Sequence, residues 1–214
     1  MRSRFDEQLA QLNREMIEMG AQCEEVIALA SKALTEADMK LAAKVAPLSA
    51  DIDRKEREIE ALCLRLLLQQ QPVARDLRQI SAALKMITDL ERIGDQAEEI
   101  ADIIGFIDGH NPEDYVTLTE MAKAAIHMVT ESIDAYVKHD TILAEKVVDE
   151  DDIVDEYFLQ VKSKLIAKIA KDPDDGEYAL DLLMIAKYFE RIGDHATNIA
   201  EWVIFSVTGV HKEG

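Results

Sequence analysis

The five residues ERIGD occur at Glu91–Asp95 and again at Glu190–Asp194, 99 positions apart in a chain of 214 residues. An internal repeat of this kind marks a duplicated structural unit, and the likeness runs well beyond five residues. Setting 80–106 against 179–205, ten of the 27 positions are identical: Leu84/Leu183, the motif itself, Ala97/Ala196, Ile100/Ile199, Ala101/Ala200 and Phe106/Phe205. Upstream the two halves also match, at an offset of 102: AAKV at 42–45 meets AEKV at 144–147, Asp38 meets Asp140, and Asp53 meets Asp155.

Breakers are scarce, with eight Gly and four Pro. None stands between Pro112 and Pro173. Sixty residues of helical periodicity without a breaker read as helix, turn, helix, because strands would need punctuation. Breaks fall near Ala37–Asp38, at Gln69–Pro72, Gly105–Pro112, Lys138–Thr141 and Lys171–Gly176. Cut there, the chain gives six helices in two sets of three, with Pro47 expected to kink or delay the second helix. The fold class expected is all-α: two tandem three-helix bundles, 1–108 and 109–214, with the motif in the third helix of each.

Composition supports this. Hydrophobic residues make up 48% of the chain, enough to exclude wholesale disorder. Net charge is −19, divided as −6 over residues 1–107 and −13 over 108–214. A charge of that sign repels phosphate backbones and anionic membranes, which argues against nucleic-acid binding and favours cations or basic partners. Cys23 and Cys63 lie in apolar-periodic stretches and read as buried free thiols of a reducing compartment. The first residues, MRSRFDEQL, lack the apolar core of a signal peptide, and no run of eighteen apolar residues exists. A cytoplasmic protein is expected.

On a helical wheel of about 100° per residue, Leu90, Ile93, Ala97, Ile100 and Ile104 form a core stripe. Glu91, Asp95, Glu98, Glu99 and Asp102 occupy the neighbouring sector; the second copy repeats this with Glu190, Asp194, Asn198 and Glu201. An isolated E-x-x-x-D is usually a solvated face. Three features point elsewhere. Gly94 and Gly193 sit inside helices, where glycine costs about 1 kcal/mol against alanine and suits close approach of another backbone. The acids are retained between the halves while Gln96/His195 changes. The preceding helix of the second half carries DEDDIVDE at 149–156, six acids in eight residues. Carboxylates about 6 Å apart repel by roughly 3 kcal/mol at an effective dielectric of 20. Packed against a second acidic helix they call for cations, and such oxygens can bridge several ions. With no Cys or His at ligand spacing and no E-x-x-H, thiolate zinc is excluded and a ferritin-like di-iron centre is disfavoured. Mg²⁺, Ca²⁺, Mn²⁺ and iron remain.

LERIGDQAEEIAD at 90–102, FERIGDHATNIAEWVIF at 189–205, QPVARDLR at 71–78 and VDEDDIVDEY at 148–157 resemble, in order along nearly the whole chain, the PhoU family of bacterial phosphate-uptake regulators. The resemblance implies two three-helix bundles whose doubled motifs carry multinuclear metal clusters, with iron or zinc in the family and Mn or Mg as further candidates. The implied ligands are Asp53, Glu91 and Asp95 in the first bundle, and Asp151, Asp155, Glu190 and Asp194 in the second, with Glu99 and Asn198 as outer ligands. Ser49 stands where the repeat expects a mate for Asp151, which leaves the first bundle short of one acid. The implied role is that of a non-catalytic adaptor and negative regulator. It couples the ATPase of a phosphate ABC transporter to a sensor histidine kinase, reaches the membrane only through its partners, and forms a homodimer. A carboxylate-bridged metal enzyme and a metal-free helical scaffold are the alternatives. The enzyme reading lacks a nucleophile–base pair and a phosphate-cradling glycine loop. QPVARDLR reads equally as a partner surface or as helix initiation with Pro72 near its first turn. Tyr178, Tyr188, Phe189, Trp202 and Met16, Met19, Met86, Met121, Met128 and Met184 read as core.

Overall fold

The computed structural model describes residues 2–70, 72, 74–107 and 112–210, with the side chains of 2, 3, 69 and 70 left undescribed. Among the described residues there are six long helices, one single-turn helix and no strand. They are α1 (Arg2–Glu36), the short α2 (Met39–Ala42), α3 (Val45–Gln70), α4 (Ala74–Ile104), α5 (Pro112–Lys138), α6 (Thr141–Lys171) and α7 (Gly176–Thr208), with a 3₁₀ turn at Pro173–Asp175. The expected junction at 108 and 109 lies outside the described residues, as do parts of the Gln69–Pro72 and Gly105–Pro112 breaks. Pro72 precedes the helix that starts at Ala74 instead of standing in its first turn.

The duplication reaches the corners. Ala37 and His139, 102 residues apart, both take positive φ, 50° and 53°. Each ends its helix in a Schellman turn: Asp38 N–H donates to Ala33 O at 3.0 Å, and Asp140 N–H to Ala135 O at 2.9 Å. The same two aspartates then cap the next helix. Asp38 Oδ1 accepts from the amides of Lys40 and Leu41, and Asp140 Oδ1 from those of Ile142 and Leu143. The halves diverge at Pro47, whose repeat mate is Asp149. Proline has no N–H to offer the carbonyl four residues back, and its ring clashes there. The helix accordingly breaks at 43–44 and resumes at Val45, whereas α6 runs unbroken from Thr141.

α1, α3 and α4 form one bundle and α5, α6 and α7 the other; the two lie side by side, α4 against α7 and α1 against α5. Their core is continuous, built from Met16, Met19, Ile52, Ile59, Met86, Leu90, Ile93, Met121, Val129, Val154, Phe189 and Ile192 among others. Cys23 and Cys63 are buried free thiols. Phe189 is fully buried, while Tyr178, Tyr188 and Trp202 only flank the core. Met184 departs from the expectation: it is exposed, because it falls on the outer face of α7.

The α4–α7 seam is antiparallel and has internal twofold character. Asn198 Nδ2 donates to Asp89 Oδ1 at 3.1 Å, and the Tyr188 hydroxyl donates to Glu99 Oε2 at 3.3 Å. Asp89 and Tyr188 are repeat mates, as are Glu99 and Asn198, so each contact is the other with the halves exchanged. This arrangement sets the two ERIGD motifs beside each other along the seam.

Candidate functional site

Each motif faces the middle helix of its own bundle, and its glycine is what permits the approach. A Cβ on Gly94 would stand 3.2 Å from Ile52 Cδ1 and 3.5 Å from Ser49 Oγ. A Cβ on Gly193 would stand 3.1 Å from Asp151 Oδ1 and 3.4 Å from Val154 Cγ1. Ser49 and Asp151, and Ile52 and Val154, are repeat mates, so the two grooves are built alike.

In the first groove, Asp53 of α3 and Glu91 and Asp95 of α4 offer carboxylate oxygens that all lie within 4.8 Å of one another. Asp53 Oδ1 is enclosed and has no hydrogen-bond partner. Burial raises the affinity of Glu91 for its proton, and Asp95, Asp53 and Glu56 add to this, while Arg92 opposes it. Arg92 lies along the outside of the motif, with Nη1 3.0 Å from Asp95 Oδ2 and Nε 3.4 Å from Glu91 Oε2.

The second groove gathers Asp151 and Asp155 of α6 with Glu190 and Asp194 of α7. Among the described residues no three of these four close to the same 4.8 Å, yet Asp151, Asp155 and Asp194 are all raised, by burial first and then by neighbouring carboxylates. Asp151 is pushed up to about 6 by burial first and then by Asp194, Asp155 and Glu190. Asp155 is raised by burial and then by Glu190 and Asp152, and Asp194 by burial and then by Glu190. Asp151 Oδ1, like Asp53 Oδ1, is enclosed without a partner. Lys187 is the main cation that relieves this set, with a lesser part from His195 at Asp194: Lys187 Nζ donates to Glu190 Oε2, lies 5.7 Å from the centre of the Phe158 ring, and lowers both Asp155 and Asp194.

Lys187 is the residue that motif reading misses. Its repeat mate is Thr88, so comparing the differing positions of the two halves is the signal that exposes it. The motif's own arginine, Arg191, stands over the Tyr188 ring at 5.7 Å. The expected outer ligands have other partners. Asn198 serves Asp89 and Glu99 accepts from Tyr188, both across the seam. His195 turns its Nδ1 to Asp89 across the seam, 2.9 Å from Asp89 Oδ1.

The groove chemistry suits hard or borderline divalent cations: all donors are oxygen, they come from two facing helices, and several can bridge. Enclosed carboxylate oxygens without partners and a carboxyl held near 6 are what such an ion would satisfy.

A twofold-repeated, all-helical protein with an acidic groove in each half defines a class of duplicated three-helix-bundle proteins. The family model described as the PhoU domain matches twice, over residues 16–104 and 118–203. The chain belongs to the PhoU family. It is 35% identical over 207 residues to the phosphate-specific transport system accessory protein PhoU homolog of Clostridium acetobutylicum, covering 96% of this chain and 94% of that one. It is likewise 35% identical to the protein of that name from Pseudomonas aeruginosa, covering 96% of this chain and 86% of the relative. Crystal structures of PhoU from Pseudomonas aeruginosa and of the phosphate transport system regulatory protein PhoU from Streptococcus pneumoniae superpose with TM-scores of 0.91 and 0.89. Their identities are 35% and 26%, and they cover 96% and 98% of this chain and 100% and 99% of their own. Among the described residues no helix is long and apolar enough to cross a membrane.

Proposed function

We propose that this chain is a cytoplasmic, non-catalytic adaptor of phosphate homeostasis that binds divalent or trivalent metal in its two acidic grooves. In this reading it couples a phosphate ABC transporter, through its ATPase, to a sensor histidine kinase, holds phosphate-starvation signalling off when phosphate is plentiful, and acts as a homodimer. The supporting observation is a family likeness that runs through both halves together with a groove of facing carboxylates in each. Metal would be held by Asp53, Glu91 and Asp95 in the first groove and by Asp151, Asp155, Glu190 and Asp194 in the second. Bound there, the ion supplies positive charge that locks two helices together; the chain's own part is to aim the oxygens and keep the helices close.

The second groove is the stronger site in this reading. Arg92 pairs with two of the three carboxylates in the first groove, whereas in the second Asp151 is raised by burial and then by the three other carboxylates of the groove with no cation opposing them, so more charge is left there for an ion to neutralise. The net charge of −19 turns the protein towards partners with basic surfaces and away from nucleic acid. The test is affinity capture of the tagged chain from phosphate-replete and phosphate-starved cells. Recovery of the transporter ATPase and the histidine kinase is expected, with a phosphate-dependent yield. Capture of neither, from cells where deletion of the chain leaves starvation genes silent, overturns the adaptor reading.

A further inference from the structure

We propose a second kind of metal site, separate from the motif grooves, on the outer face where α5 meets α6: His127, Glu131 and Glu150 bind a zinc-class divalent cation. His127 and Glu131 are one helical turn apart on α5 and so share a face; Glu150 reaches them from α6. One donor atom from each lies within 4.8 Å of the other two. The spacing fits a small ion. His127 Nε2 is 3.5 Å from Glu131 Oε1 and 3.6 Å from Glu150 Oε1. Tetrahedral zinc with bonds of about 2.0–2.1 Å sets its ligands roughly 3.4 Å apart, so the imidazole already stands near ligand spacing from each carboxylate, and the two carboxylates have at most 4.8 Å between their donor oxygens to close.

A second observation says that these acids are built around positive charge. Lys146 Nζ lies 2.8 Å from both Glu131 carboxylate oxygens and 3.1 Å from Glu150 Oε1. It does not finish the task, because Glu150 Oε2 remains enclosed without a partner. The two glutamates are 19% and 17% exposed, whereas Lys146 is 52% and His127 54% exposed. The acids thus form the floor, the imidazole stands at the mouth, and the lysine can swing into water as an ion enters. The donor set selects the ion: an imidazole nitrogen disfavours Mg²⁺ and Ca²⁺, and one nitrogen with two carboxylates and water suits Zn²⁺. The repeat mates of His127, Glu131 and Glu150 are Glu25, Leu29 and Leu48. The first half therefore has no such site, and this one does not derive from the doubled motif.

The test is a zinc titration of chelator-stripped, full-length protein carrying ¹⁵N,¹³C-labelled histidine, followed by NMR of the ring signals, with calorimetry in parallel. The His127 signal is identified by its absence in His127→Gln, a change at an exposed position that leaves folding intact. Zinc is expected to shift the His127 ring nitrogens saturably. His127→Gln should lose one zinc equivalent, and Lys146→Gln should bind that equivalent about fivefold to tenfold more tightly because the competing ammonium is gone. A His127 ring indifferent to zinc, or an unchanged zinc stoichiometry in His127→Gln, overturns the proposal whatever the motif grooves bind.

Discussion

Asp151 Oδ1 lies 3.1 Å from the place where a Cβ on Gly193 would stand. The motif's glycine is therefore room left for a carboxylate of the neighbouring helix. Gly193→Ala gains up to about 1 kcal/mol of helix propensity and only has to push the end of a short side chain aside. Its stability should stay within about 1 kcal/mol of wild type, while metal affinity falls because Asp151 is displaced. Gly20→Ala is the contrast: its Cβ would meet the buried Ile133 Cγ1 at 2.8 Å. That overpacking should cost about 1–3 kcal/mol. Urea denaturation of both variants, with metal titration of the first, checks this.

The raised carboxyls carry a pH signature. In the metal-free fold Asp151 keeps its proton up to about pH 6, whereas an unfolded aspartate releases it near 4. The folded state then holds more protons in that window, so stability falls as pH rises from about 4 through 6, and the loss persists above. Asp155, Asp194 and Glu91 are shifted in the same direction. Asp151→Asn should raise the Tm of metal-free protein at about pH 7.5 and change it little at about pH 4.5. An equal effect at both pH values would assign the gain to something other than charge.

Lys187 is a tethered counter-ion in this account. Lys187→Gln should lower the Tm of metal-free protein at neutral pH, since Asp155 and Asp194 lose the charge that relieves them. With metal in excess the deficit should close, and the second groove should bind metal more tightly than in wild type. Thermal melts with and without metal report both effects.

Asp89 ties the α4–α7 seam at one point, where its carboxylate meets both His195 and Asn198. Its side chain is only 15% exposed. Asp89→Ala removes the acceptor for two donors and should cost about 1–3 kcal/mol. Measured by denaturant unfolding, the loss should shrink in an Asp89→Ala, Asn198→Ala double variant relative to the sum of the singles.

Much of this architecture is legible in the sequence because a duplication states it twice. The two offsets and the absence of breakers between Pro112 and Pro173 define six helices, and the Asp38 and Asp140 caps fall where those offsets place them. The side-by-side fusion of the bundles is not legible in the same way. It depends on Asp89, Tyr188, Glu99 and Asn198, which differ between the halves and pair only across space. The acids of the grooves are legible as a shared face, and the burial that raises Asp151 is not, because it depends on how closely α6 and α7 approach. Lys187 is hidden from motif reading for a third reason: a lone lysine carries no periodic signal, and while its difference from Thr88 in the other half singles it out, its neighbours in the fold show its part.

The central claim is that the doubled motif exists to hold metal, and metal content tests it most directly. Wild-type protein purified with supplemented iron, zinc or manganese is compared by elemental analysis with Glu91→Gln/Asp95→Asn and with Glu190→Gln/Asp194→Asn. Wild type should carry metal that chelation removes with a fall in Tm; both double variants should carry less, and the second pair should lose more than the first. Wild-type protein that carries no metal after supplementation, with a Tm indifferent to chelator, would contradict the claim and leave the two acidic grooves as charge balanced by side chains such as Arg92 and Lys187.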